Sequence, residues 1–235
     1  METKSLTRLN EQIISCTRCP RLVQWREDVA RTKRRMYRDW EYWGRPVPGF
    51  GDPDARVLVV GLAPAAHGAN RTGRVFTGDD SGNWLYSALH KQGWANMPIS
   101  THRGDGLALT DAYVTSVARC APPQNRPTPD ELSNCAPFLE TELHLLRNLQ
   151  VIIALGGIAF DRFLRLWKSM GHPVPSPRAR FGHNLVYPLP PTLKLVASYH
   201  PSRQNTQTGA LTREMLDSAF TTAKSLLTPS SPPTS

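Results

Sequence analysis

Long apolar runs are missing from this chain of 235 residues. None approaches the roughly 20 apolar residues that a spanning helix needs, so no membrane partner is expected. The opening Met1-Glu2-Thr3-Lys4-Ser5-Leu6 has no apolar stretch of the signal-peptide kind, and a cytoplasmic location is expected. Acidic residues are in deficit: 19 Asp and Glu against 28 Lys and Arg leave a net charge of +9. Such a balance points to a polyanionic partner, usually nucleic acid, with a plain solubility charge as the competing explanation. Internal repeats are absent. Cysteine is scarce, at four residues, and cytosolic thiols rarely form disulfides. Cys16 and Cys19 form a C-x2-C pair, while Cys120 and Cys135 stand apart with 14 residues between them. One local pair and two distant thiols make a full ligand set for either a zinc ion or a [4Fe–4S] cluster. The scattered spacing leans toward iron–sulfur.

What is present is a core of ordinary size. Hydrophobic residues make up 40% of the chain, enough for one α/β domain over 1–227, followed by a Ser, Thr and Pro tail at 228–235 that is expected to be disordered. Leu6, Leu9, Ile13 and Ile14 share a helical face over 5–15, and a second helical stretch at about 20–40 carries Arg31, Lys33, Arg34, Arg35 and Arg38. Four apolar runs at about 56–61, 112–117, 151–155 and 193–199 alternate with helical segments. That order predicts a parallel sheet with helices on both faces. Asp80 or Ser81 is the expected N-cap of the helix around 83–89, and Thr128-Pro129-Asp130-Glu131 is a clear helix start. Pro173 to Gly182 is a basic, Pro-rich connection with Arg178 and Arg180.

Three strand ends carry unusual residues to one edge of such a sheet, which is where α/β proteins bind ligands. The first strand runs into Gly61-Leu62-Ala63-Pro64-Ala65-Ala66-His67-Gly68-Ala69-Asn70-Arg71-Thr72-Gly73-Arg74, then Phe76-Thr77-Gly78-Asp79. The second ends in 118–126 around Cys120, and the fourth in His200-Pro201-Ser202-Arg203-Gln204-Asn205. An imidazole directly after a buried strand, facing a glycine-rich loop, is a candidate catalytic group.

Together with Tyr42 to Pro53, these motifs resemble the uracil-DNA glycosylase superfamily, most closely its family 5, the iron–sulfur type b enzymes. The resemblance covers roughly 16 to 215 and implies a three-layer α/β/α sandwich around a four-stranded parallel sheet. It implies a structural [4Fe–4S] cluster on Cys16, Cys19, Cys120 and Cys135. It also implies a monofunctional enzyme that flips uracil and other deaminated bases, hypoxanthine among them, out of DNA and hydrolyses the glycosidic bond. Nothing in the sequence suggests other than a monomer. A non-catalytic binder of lesion DNA on the same fold is the alternative, because Leu62 and Ala63 stand where other members of the superfamily place a water-orienting carboxylate or amide. The catalytic pair implied is His200, as a neutral donor to the base, and Asp79, toward the water, with His67 as the weaker alternative for the water. Gly61, Ala63, His67, Phe76 and Ser116 would form the base pocket. The Ser116 hydroxyl, at once donor and acceptor, is expected to adapt to more than one base edge. Arg71, Arg74, Arg178, Ser202, Arg203 and Gln204 are the expected DNA contacts, and Arg203, Gln204 or Asn205 the expected wedge.

Overall fold

A computed structural model of the chain describes residues 2–175, 177 and 179–228. The elements in order are α1 (Glu2–Ile14), α2 (Pro20–Thr32), β1 (Phe50–Gly51), β2 (Val57–Gly61), α3 (Ala69–Thr72), α4 (Asp80–Lys91), β3 (Ala112–Ser116), α5 (Pro129–Leu145), β4 (Val151–Leu155), α6 (Gly157–Ser169), β5 (Leu185–Leu189), β6 (Leu193–Ser198), α7 (Arg203–Gln207) and α8 (Arg213–Ser225).

The sheet order is β1-β3-β2-β4-β6-β5. Its four central strands are parallel, in keeping with their mostly apolar and buried sequences. The expected sheet is thus present but incomplete: β1 and β5 add an antiparallel strand at each edge, giving six strands in a mixed sheet. Pro188 lies inside β5, a position open to proline only because the strand is an edge.

Alternating residues of the central strands face opposite layers. Leu58, Val60, Ile152, Ala154, Leu195 and Ala197 pack with α1, α5 and α6. Val57, Val59, Ile153, Leu155 and Val196 pack with α4 and α8. This is the α/β/α sandwich. Among the described residues no helix is long and apolar enough to cross a membrane.

Local boundaries follow capping chemistry. Thr128 and Glu131 close a full capping box at the start of α5. The basic helical stretch expected to about residue 40 stops at Thr32, because Lys33 turns left-handed at φ 54°, and one 3-10 turn, Arg35–Tyr37, follows. Of the stretch expected to be a tail, only Thr228 is described, and it is tied to the domain. The N–H and hydroxyl of Thr228 donate to Gln150 Oε1 at 2.8 and 2.9 Å, while residues 229–235 lie outside the described ones.

Candidate active site

The parallel strands bring three loops to one edge. β2 and β3 end side by side with Gly61 opposite Ser116, and the Gly156 N–H after β4 donates to Ser198 O at the end of β6, at 2.8 Å. Residues 62–79, 117–126 and 199–205 all leave from this edge.

Phe76 sits at φ 50°, a left-handed conformation that a bulky residue adopts only under constraint from its surroundings. Its ring lies over Gly61, where a Cβ would come within 2.7 Å of two ring carbons. The bare backbone at the end of β2 is therefore what admits the ring. Phe76 also meets His200, with ring centroids 5.7 Å apart and planes 29° from parallel.

Three residues on, Asp79 is the N-cap of α4, in place of the expected Asp80 or Ser81, because only its carboxylate Oδ1 accepts the Gly82 N–H, at 3.0 Å. Its Oδ2 presses on Gly68, where a Cβ would stand 2.0 Å away. Burial raises the Asp79 carboxyl above the usual range, and the Gly82 N–H and the Arg71 charge oppose that rise.

Burial pushes His200 down to about 4, so its ring is neutral near pH 7. Its carbonyl accepts from the Ser202 N–H at 2.7 Å and from Asn205 Nδ2 at 2.9 Å, which fixes the backbone at the histidine. Asn205, one of the three expected wedge residues, is thereby occupied as a brace. His67 is held below the ordinary imidazole range by burial first, then by the Arg34 and Arg71 charges. The Arg34 N–H donates to the Tyr42 hydroxyl at 3.4 Å, and that hydroxyl meets His67 Nδ1 at 3.0 Å.

Three expectations need correction. The Ser116 hydroxyl donates to Ala118 O at 2.8 Å, so it presents lone pairs and not an adaptable donor and acceptor. Arg71 is buried between the rings of Tyr37 and Trp40, at 3.9 and 4.1 Å, and donates to the carbonyls of His67 and Gly78. Arg74 is buried on Asp105 at 2.6 Å and on Ser100 at 2.7 Å. Both arginines are buried within the loop and off the protein surface, and Arg71 Nη1 is left without a hydrogen-bond partner. Arg178 lies outside the described residues. Ser202 caps α7, and Arg203 and Gln204 are exposed at its start, next to His200. Ala63 is half-buried against the core.

Away from this edge, Cys16, Cys19, Cys120 and Cys135 line a single cavity with Arg26, Arg119 and Phe138. Arg26 Nη1 donates to Cys120 Sγ at 3.0 Å, and Asn134 Nδ2 to Cys19 Sγ at 3.5 Å. Arg119 pairs with the fully buried Glu142 at 2.6 Å. The Nε groups of Arg26 and Arg119 are buried without a hydrogen-bond partner. Among the described residues no three His, Cys, Asp or Glu side chains come close enough to hold one metal ion, so the thiols ring the cavity without converging on a point. The two arginines went unnoticed in sequence, although Arg26 falls on the helical stripe of Leu22 and Val29, where an apolar residue is the ordinary choice.

Fold and site together define a class: an α/β/α sandwich whose sheet edge holds a left-handed aromatic residue against a bare glycine and beside a buried histidine. The model of the uracil DNA glycosylase superfamily matches residues 48–224, and the chain belongs to that superfamily. Within it, the chain is 51% identical over 225 residues to the type-5 uracil-DNA glycosylase of Mycobacterium leprae strain TN, covering 94% of this chain and 96% of the relative. It is equally similar, at 51% over 218 residues, to the type-5 enzyme of Thermus thermophilus, covering 92% and 95%. With the type-5 enzyme of Mycobacterium tuberculosis CDC 1551 it shares 51% over 223 residues, covering 94% and 82%.

Proposed function

We propose that the chain is a monofunctional uracil-DNA glycosylase of base excision repair, acting as a monomer in the cytoplasm, with residues 1–227 as one domain. The observation that carries this reading is the buried, neutral His200 stacked beside Phe76, with the Asp79 carboxylate closing the same loop. A base inside a duplex is out of reach, so the nucleotide is flipped out at a cost of a few kcal/mol. Phe76 supplies the stacking face, and His67, on the same loop, lines the base pocket. His200 donates to the base oxygen on which negative charge gathers as the glycosidic bond breaks. Water adds to the sugar C1′, the bonding pair leaves with the base, and Asp79 orients the water and takes its proton.

Ser116 suits deaminated bases in particular. With its proton committed to Ala118 O, its hydroxyl offers a lone pair. Uracil and hypoxanthine carry a ring N–H where cytosine and adenine carry a lone pair. An acceptor attracts the first two and repels their parents, so we include hypoxanthine as a substrate. Ser202, Arg203 and Gln204 contact the DNA beside the flipped nucleotide.

The four-thiol cavity fits a [4Fe–4S] cluster. A cubane holds its thiolates apart around a body of its own size, and its net negative charge answers the unpartnered Nε groups of Arg26 and Arg119. Cys16, Cys19, Cys120 and Cys135 would be the ligands, and the cluster would tie α1, α2 and α5 to the loop after β3. It supplies structure, and the hydrolysis does not use it. Cys120→Ser is expected to lose the broad visible absorption and the iron and sulfide of the purified protein and to lower its melting temperature; full visible absorption in that variant refutes the ligand set.

The test of the activity is base release from oligonucleotides carrying uracil or hypoxanthine, followed by alkaline cleavage at the abasic site. Release that depends on His200 is expected from both. Binding without release from either would make the chain a lesion-DNA binder on the same fold.

A further inference from the structure

The segment that leaves α2 is exposed, basic and fastened to the site loop. Arg34, Arg35 and Arg38 are exposed, and Met36, between them, is 63% exposed, an unusual position for an apolar side chain unless something covers it. The one acid in the run, Asp39, sits 3.7 Å from Arg38 in open solvent, where such a pair adds little. Two links join the segment to the site. The rings of Tyr37 and Trp40 enclose Arg71, whose guanidinium holds the carbonyls of His67 and Gly78. The backbone of Arg34 and the hydroxyl of Tyr42 lead to His67 itself. A surface of three arginines, anchored within one residue of Asp79, is placed to meet whatever strand enters the cleft.

We infer that residues 33–40 form a second DNA contact, separate from the 202–204 loop. Arg34, Arg35 and Arg38 grip the phosphates flanking the flipped nucleotide, and Met36 packs against the neighbouring unstacked base. Apolar tips of this kind are used against base steps by other DNA-binding proteins. The inference rests on the glycosylase reading of the site, because the occupant is the same DNA.

The test uses the full chain and a duplex with a 2′-fluorinated deoxyuridine that resists excision. Affinity is measured over a range of salt for the parent, for the Arg35→Ala/Arg38→Ala variant and for Met36→Ala. Each lost phosphate contact makes the slope of log affinity against log salt shallower by about 0.9, so the double variant is expected to lose roughly 1 to 2 from its slope. Its single-turnover excision of ordinary uracil at saturating DNA matches the parent's, since Arg34, whose charge acts on His67, is kept. Met36→Ala is expected to bind several-fold more weakly at an unchanged slope. An unchanged slope in the double variant, with normal base release, overturns this surface and leaves the glycosylase reading standing. A parent that binds the duplex but releases no ordinary uracil removes the glycosylase reading instead.

Discussion

His200→Ala is expected to slow single-turnover excision of uracil by about 10²–10³, the usual worth of one preorganised donor at a developing anion, with DNA affinity preserved. The geometry behind this figure is fixed before substrate arrives. The His200 carbonyl is held at 2.7 and 2.9 Å by Ser202 and Asn205, and the ring by Phe76. Burial pushes the imidazole down to about 4, so the donor is a neutral ring and not an imidazolium. This has a signature in pH. An imidazolium donor would make excision rise as pH falls through about 6.5, the ordinary histidine value. A neutral donor predicts no such rise, and then a decline at lower pH as the raised Asp79 carboxyl takes up its proton. A rate that climbs through the ordinary histidine range removes the neutral-donor assignment. Stability carries the same sign. With its folded value depressed, His200 contributes stability that is complete above its unfolded value of about 6.5 and lost as pH falls toward about 4.

Much of this arrangement is legible in the residues. Val57-Leu58-Val59-Val60 is apolar on both faces because both faces are covered, which is what a central parallel strand requires. Thr128, Pro129 and Glu131 announce α5 through local chemistry alone. The edge strands are harder to read: β1 is two residues in a Gly- and Pro-rich stretch, and β5 carries a proline and exposed Leu185 and Val186. Neither has the periodicity that marks a strand, because pairing on one side and solvent on the other hold them in place.

The arginines are illegible for a different reason. Nothing local distinguishes Arg71 and Arg74, which turn inward, from Arg34 and Arg35, which stay in solvent. The difference lies in distant partners, the rings of Tyr37 and Trp40 for one and Asp105, 31 residues away, for the other. A loop rich in glycine and arginine looks like a phosphate cradle, yet here the arginines support the loop from within and the charge available to DNA lies on the neighbouring turn. Ser116 misleads in the same way, since its residue type permits a donor and its contact with Ala118 O uses that donor up.

Asp79 is the observed cap of α4 and the proposed water-orienting carboxylate, and its two oxygens lie in different surroundings. Oδ1 caps α4 through the Gly82 N–H, and Oδ2 lies against the bare backbone of Gly68. The two roles separate by substitution. Asn is as good an N-cap as Asp, whereas Ala lacks the acceptor and costs about 1 kcal/mol. Asp79→Asn is therefore expected to melt close to the parent and to excise uracil at least about tenfold more slowly, because an amide cannot take the proton of the attacking water. Asp79→Ala is expected to lose activity to a similar extent and stability as well. Parental excision rates in Asp79→Asn, measured at saturating DNA, would remove Asp79 from the chemistry and leave it the cap alone. His67, whose Nδ1 meets the Tyr42 hydroxyl at 3.0 Å, would then be the group to test, and a His67→Ala variant that slows excision as far as Asp79→Ala would assign the water to it.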